Sequence, residues 1–196
     1  MPRIAADTVA EHRAHQHDVI LDAAERILLA DGYEALSFRT LGEQAGMARN
    51  SVYRYFTSCD DVVAALCERD MPRWLVEIEA AMAAAPDFDD AIAAFVETQL
   101  RLVADGSHQL AEVLSSAPLG PGARARIQAL AYLPATVLEE QLRALGYDQP
   151  DVTAQLVQGL VGAAVRMLHH GRTVEDVAAE TTQMALRLLV RPDAAR

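Results

Sequence analysis

"SFRTLGEQAGMARNSVYRYF", residues 37 to 56, holds two short helical patterns separated by a glycine. Ser37 suits a helix N-cap, and Phe38, Leu41 and Ala45 recur at the spacing that buries one face of a short helix. Gly46 breaks that helix. A second predicted helix runs from about Ala48 to Phe56, with Ala48, Val52 and Phe56 on one stripe. Arg49, Asn50, Tyr53 and Arg54 fall together on another, and Ser51 and Tyr55 lie at its flanks. Two helices joined by a glycine turn, the second apolar behind and polar in front, make a helix-turn-helix.

The residue types suit a nucleic-acid face. Arg bonds both acceptors of guanine, and Asn pairs bidentately with adenine. Ser and Tyr hydroxyls bond phosphate oxygens and set register without reading sequence. The local charge agrees: residues 37–56 carry Arg39, Arg49 and Arg54 against Glu43, in a chain whose net charge is −11. An αα-corner with a solvated charged face would show the same spacing, so the pattern alone leaves both readings open.

Outward from this stretch the periodicity is helical throughout. From His12 to Asp31 the apolar residues Val19, Ile20, Ala23, Ala24, Ile27 and Leu28 line one face, and Gly32 supplies a stop. Ser58 with Asp61 resembles a capping box for a helix over 59–84. Further helices are predicted at 88–104, 107–116, 123–145, 151–170 and 174–190, with Pro134 kinking one of them or marking a first turn. No stretch alternates like a half-buried strand. The expectation is an all-α chain of about nine helices. An N-terminal three-helix DNA-binding domain, 14–74, precedes a larger domain, 75–196.

Composition sets limits. Hydrophobic residues are 52% of 196, rich in Ala and Leu, enough for a real core and favourable to helix. All 17 cations are arginine, and residues 57–196 hold most of the acidic excess. A pI near 4.9 argues against a general nucleic-acid coat and permits a small reading face on an acidic body. No apolar run reaches the ~18 residues that span a bilayer, and the N-terminus lacks a signal-like apolar core. The expected location is cytoplasmic, with no membrane partner.

Residues 20–66, "ILDAAERILLADGYEALSFRTLGEQAGMARNSVYRYFTSCDDVVAAL", resemble the N-terminal domain of the TetR/AcrR family of transcriptional repressors. The resemblance rests on the three-helix spacing, the glycine stop, the turn glycine and the Tyr-x-Tyr-Phe finish. It implies that Arg49, Asn50, Ser51 and Arg54 lie towards the major groove, that Tyr53 and Tyr55 sit on phosphates, and that Arg39 lies near the backbone. Where the family often has Lys, this chain has Cys59, and His15, Gln16 and His17 stand where arginines are frequent. The resemblance also implies a C-terminal ligand cavity and a homodimer on a pseudo-palindromic double-stranded DNA operator. The function expected is a repressor released by a small, mainly apolar effector. The alternative is a helical small-molecule-binding protein that has lost specific DNA binding.

Candidate pocket residues are Met71, Trp74, Phe95, His108, Tyr132 and Met167, a scattered set of the kind that otherwise simply fills a core. In "QGLVGAAVRMLHHG", Gly159, Gly162 and Ala163 allow close helix approach, with Leu156 and Leu160 beside them. Val177, Thr181 and Leu188 on the next helix complete an expected four-helix dimer interface.

The remaining chemistry is sparse. His12, His15 and His17 lack ordered ligand spacing and read better as a solvated arm near phosphate than as a metal tract. Cys59 at a helix start could have a lowered pKa and sense oxidants, but no resolving partner lies close. Nothing pairs a nucleophile with a base, cradles phosphate in a glycine loop, or spells a metal motif. Neither an enzyme, a cofactor nor a metal is expected.

Overall fold

The computed structural model describes residues 3–105 and 117–189, with side chains over 10–104 and 117–189. The described residues are all-helical, with one 3-10 turn and no strand. By packing they divide into two units, residues 3–69 with 117–126 and residues 70–105 with 127–189.

In the first unit, α1 (Arg3–Asp31) buries Ile20, Ala23, Ala24, Ile27 and Leu28 of the face that the spacing singles out, adds Leu21, and leaves Val19 half-buried. Gly32, at φ +78°, ends it, and a 3-10 turn (Tyr33–Ala35) leads into α2 (Phe38–Ala45). Ser37 caps α2 reciprocally. Its hydroxyl accepts from Thr40 N–H at 3.1 Å, and Thr40 Oγ1 accepts from Ser37 N–H at 2.9 Å. Gly46 then turns the chain at φ +66°.

The second short helix, α3, spans only Arg49–Val52. It was expected to reach Phe56, but the chain tightens into i→i+3 bonds, Arg54 N–H to Ser51 O and Tyr55 N–H to Val52 O. This turn still buries Phe56 beside Val52, while Ala48, as the N-cap, is exposed rather than part of the buried stripe. α4 (Cys59–Ala83) follows, and Ser58 Oγ accepts from Asp61 N–H at 3.1 Å. The Asp61 carboxylate reaches back to Thr57 N–H instead of Ser58 N–H, so the capping box is displaced by one residue.

In the second unit, α5 (Phe88–Asp105), α7 (Pro134–Ala144), α8 (Pro150–His169) and α9 (Val174–Leu188) enclose a core with Ile92, Phe95, Leu138, Leu142, Val157 and Ala185 at its centre. α9 packs on α5 and α8, and α8 on α7. The single helix expected over 123–145 is two, α6 (Pro121–Leu130) and α7. Pro134 has no N–H to donate, so it opens the first turn of α7 rather than sitting inside a longer helix. The helix expected over 107–116 lies outside the described residues. The boundary between units falls inside α4 and α6, and the expected boundary after residue 74 also lies within α4. Pro72, just past the division, removes one backbone bond from α4.

Candidate nucleic-acid interface

The closeness of α2 and α3 is set by a residue the sequence reading passed over. Gly42 is buried in α2, and a Cβ there would lie 2.8 Å from the Met47 carbonyl oxygen and 3.3 Å from Arg49 N. Both neighbours are backbone, so only glycine lets α3 pack this tightly. A glycine inside a short helical pattern was the available signal.

With Val52 and Phe56 buried behind it, α3 turns Arg49, Asn50, Tyr53 and Arg54 outward, all exposed, with Ser51 half-buried at the edge. Arg49 Nη2 donates to the Tyr53 hydroxyl at 3.0 Å, and its guanidinium lies 5.6 Å from the Tyr53 ring centroid. Tyr53, half exposed at 50%, rests edge-on against Phe38 at 4.3 Å. The ring is therefore fixed at its base while its hydroxyl faces outward. Arg39 adds a cation from α2; Glu43, one turn on, accepts from its Nε at 2.9 Å and raises its pKa further. Arg39, Arg49, Tyr53, Thr57 and Ser58 line one groove of about 410 Å³.

Tyr55 stands apart from this face. It is half-buried, with the Arg13 guanidinium 5.9 Å from its ring, in a cleft shared with Asp18, Asp61 and Glu68. The tightened turn after Val52 directs it there. The histidine arm is not a loose one: α1 continues through it, with His12 and His15 exposed and His17 against Phe56 at 4.8 Å. Cys59 lacks the lowered thiol pKa that the oxidant-sensing reading called for. Burial, then the neighbouring Asp60, push its thiol pKa up, and the thiol faces the Leu36 carbonyl at 3.5 Å.

The platform under the face is held by ion pairs that the sequence did not announce. Asp60 accepts from the Tyr33 hydroxyl and, at 2.7 Å, from Gly120 N–H. Burial and that hydrogen bond push the Tyr33 phenol well above its ordinary range. Arg126 grips Asp61 at 2.7 Å and Glu68 at 2.6 Å. Burial works to raise Asp61, yet Arg126 and Thr57 hold it below the usual carboxylate range, and Arg126 lowers Glu68 as well. Arg69 likewise ties α4 to Asp22 and Glu25 of α1. These pairs are 44 to 65 residues apart in sequence, beyond any local pattern.

Residues 20–66 match the family described as bacterial regulatory proteins, tetR family. Over those residues, which include the helix-turn-helix, the chain resembles the TetR family. It is 30% identical over 110 residues to a transcriptional repressor of Mycobacterium tuberculosis, a match covering 52% of this chain and just 57% of that protein. It is 26% identical over 180 residues, 91% of this chain and 87% of the relative, to an uncharacterized transcriptional regulator of the same species. Its fold is shared with the transcriptional regulator FadR of Bacillus subtilis, solved in complex with stearoyl-CoA. There the TM-score is 0.65 at 19% identity, covering 85% of this chain and 96% of that one.

The second unit redistributes the expected pocket residues. Phe95 is wholly buried core, and Trp74 packs on that core from its edge. Met71 is half-buried, whereas Tyr132 is exposed at 59%, at the turn between α6 and α7. His108 lies outside the described residues. Met167 does not face an interior pocket; it is half exposed in a shallow groove between α8 and α9, about 230 Å³, with Leu160, Ala163, Thr181 and Met184.

That groove belongs to the face expected to pair. Leu156 and Leu188 are exposed, Gly159 opens on empty space, and Leu160, Gly162, Ala163 and Thr181 are half-buried. Val177 is the exception. It is buried within its own unit, because α9 turns that position towards the core. Among the described residues no cluster of three His, Cys, Asp or Glu side chains is placed to hold a metal ion, and no helix is long and apolar enough to cross a membrane.

Proposed function

We propose that this chain is a TetR-family transcriptional regulator and acts as a homodimeric repressor, released from a pseudo-palindromic operator by a small, mainly apolar molecule. The observation that carries the reading is the outward face of α3. Arg49 and Asn50 supply base-reading chemistry, Tyr53 and Ser51 supply phosphate-bonding hydroxyls, and Val52 and Phe56 anchor the face from behind. In this reading Arg54 reads beside them and Arg39 meets the DNA backbone. Tyr55, turned into its cleft with Arg13, orders the arm and reaches phosphate only at its rim.

The exposed apolar stripe of α8 and α9, with Leu156, Met167, Met184 and Leu188, supports pairing of two subunits. Two reading helices then address two half-sites, and the spacing between them becomes the regulated quantity. α4 and α6 carry it, since each contributes residues to both units. Any ligand shifts that equilibrium by its differential affinity for the two arrangements and by no more. An apolar occupant suits the Phe95, Ile92 and Leu138 core, and the ligand in the FadR complex, stearoyl-CoA, is a long acyl chain on an anionic carrier. The acidic excess of residues 57–196 favours a neutral or cationic head over an anionic one here.

Fluorescence anisotropy with labelled fragments of the DNA upstream of the protein's own coding sequence tests the reading. Saturable, sequence-selective binding is expected, weakened by an apolar compound that also changes Trp74 emission. Binding that is equal for all fragments would overturn the regulator assignment.

A further inference from the structure

Among the described residues of the second unit, the buried polar ones are Thr98, Gln99 and Gln158. Gln99 on α5 is 5% exposed and Gln158 on α8 is 7% exposed. Their amides form a chain whose direction is fixed at both ends. Gln99 Nε2 donates to the Phe95 carbonyl at 3.0 Å, and Gln99 Oε1 accepts from Gln158 Nε2 at 2.9 Å. The second hydrogen of Gln158 Nε2 goes to the Ala131 carbonyl at 3.0 Å. Phe95 and Ala131 offer carbonyl oxygens, which only accept. Turning either amide over would set oxygen against oxygen, so neither can be reversed.

The chain therefore ends on Gln158 Oε1, sealed from solvent, with no hydrogen-bond donor among the described residues. A buried acceptor left in this state costs free energy that a leucine or methionine at the same place would not. An arrangement in which this acceptor stays unpaired thus carries a penalty that a matching donor removes.

We propose that Gln158 Oε1 is the polar anchor of the effector site, taking a hydrogen bond from the hydroxyl or amide N–H of an otherwise apolar molecule. This rests on the reading of the chain as a ligand-released regulator and names the ligand chemistry. An acceptor selects a donor. A carboxylate or a thioester presents only oxygen or sulfur there and meets Gln158 Oε1 with repulsion. An ammonium head could donate, but among the described residues no buried acid balances its charge. A neutral donor on an apolar body remains. A ligand that reaches this acceptor and pairs it gains affinity only for the arrangement in which it can be reached.

The test uses the full chain and a matched pair of probes, 1-decanol and its methyl ether, titrated by calorimetry without DNA. Wild type should bind the alcohol on the order of tenfold tighter than the ether, the loss expected when a buried acceptor goes unpaired. Q99M/Q158M removes both amides together and should bind the two probes equally while still binding operator DNA. Equal affinities in wild type, a preference that survives in the double variant, or binding of neither probe would overturn the proposal. Should the double variant fail to fold, decanoate on wild type decides. Weaker binding than the alcohol is expected, and equal or tighter binding would overturn the anchor. Operator binding measured without probe judges the regulator reading separately, since its loss would leave the alcohol preference standing.

Discussion

The two units bury their cores in the same way and expose opposite chemistry. The first closes over Ile20, Leu41, Val52 and Val62 and presents arginine, asparagine and tyrosine. The second closes over Ile92, Phe95 and Leu138 and leaves Leu156, Met167, Met184 and Leu188 in the open. A polar face names its partner through donor and acceptor geometry. An apolar face asks only for another apolar face of matching shape. On the proposed reading, the difference separates recognition, carried by a few residue types, from assembly, carried by area.

The largest expected effect breaks the assembly side. Gly162→Phe places a ring where a Cβ meets only the Arg166 guanidinium, at 3.8 Å, so the subunit should keep its fold. The dimer should separate. DNA affinity should fall on the order of a hundredfold or more as two linked half-sites become independent. Light scattering checks the mass and anisotropy the binding; a wild type that is monomeric at micromolar concentration would contradict the pairing.

The next effect breaks the recognition side without touching a recognition residue. Gly42→Ala drives a methyl to 2.8 Å from the Met47 carbonyl, and backbone cannot yield as a side chain does. A cost of about 1–3 kcal/mol is expected, as for overpacked cores, together with displaced Arg49 and weakened DNA binding. Thermal melting of the variant at wild-type temperature with full operator affinity would show that the α2–α3 contact is looser than described.

A smaller effect sharpens the comparison by pH. Asp61 and Glu68 are held below ordinary carboxylate values by Arg126, although burial alone would raise Asp61. Groups lowered in the folded state stabilise it above their unfolded pKa of about 4, and that contribution is lost as pH falls through the lowered values. All three side chains are partly exposed, which screens the effect. Arg126→Gln should therefore be modestly less stable at pH 7 and lose less stability than wild type between pH 5 and 3. Urea midpoints across that range give the comparison, and parallel pH curves would remove the ion pairs from the account.

What could be read in advance follows the same division. Ser37, Gly32 and Gly46 announced helix ends because capping and positive φ are local demands, met by few residue types. The front of α3 was legible because Arg, Asn and Tyr sit opposite Val52 and Phe56 on a short period. Gly42 was missed because its reason lies in the backbone five residues on. Arg126 and Asp60 were missed because their partners are distant in sequence. The candidate cavity was least legible: Phe95, Trp74, Tyr132 and Met167 are all apolar or aromatic, and nothing local tells a core residue from an exposed one. The α6–α7 break, by contrast, was foreshadowed in Pro134.

The central claim is that α3 reads sequence through Arg49 and Asn50 while Tyr53 holds phosphate. Anisotropy titrations of wild type, Arg49→Ala, Asn50→Ala and Tyr53→Phe against the selected operator and a scrambled duplex, at one salt concentration, test it most directly. The account predicts that the two alanine variants lose about 1–3 kcal/mol of discrimination between the duplexes, and that Tyr53→Phe weakens both alike. Discrimination unchanged in Arg49→Ala and Asn50→Ala, with the fold intact by circular dichroism, would contradict it.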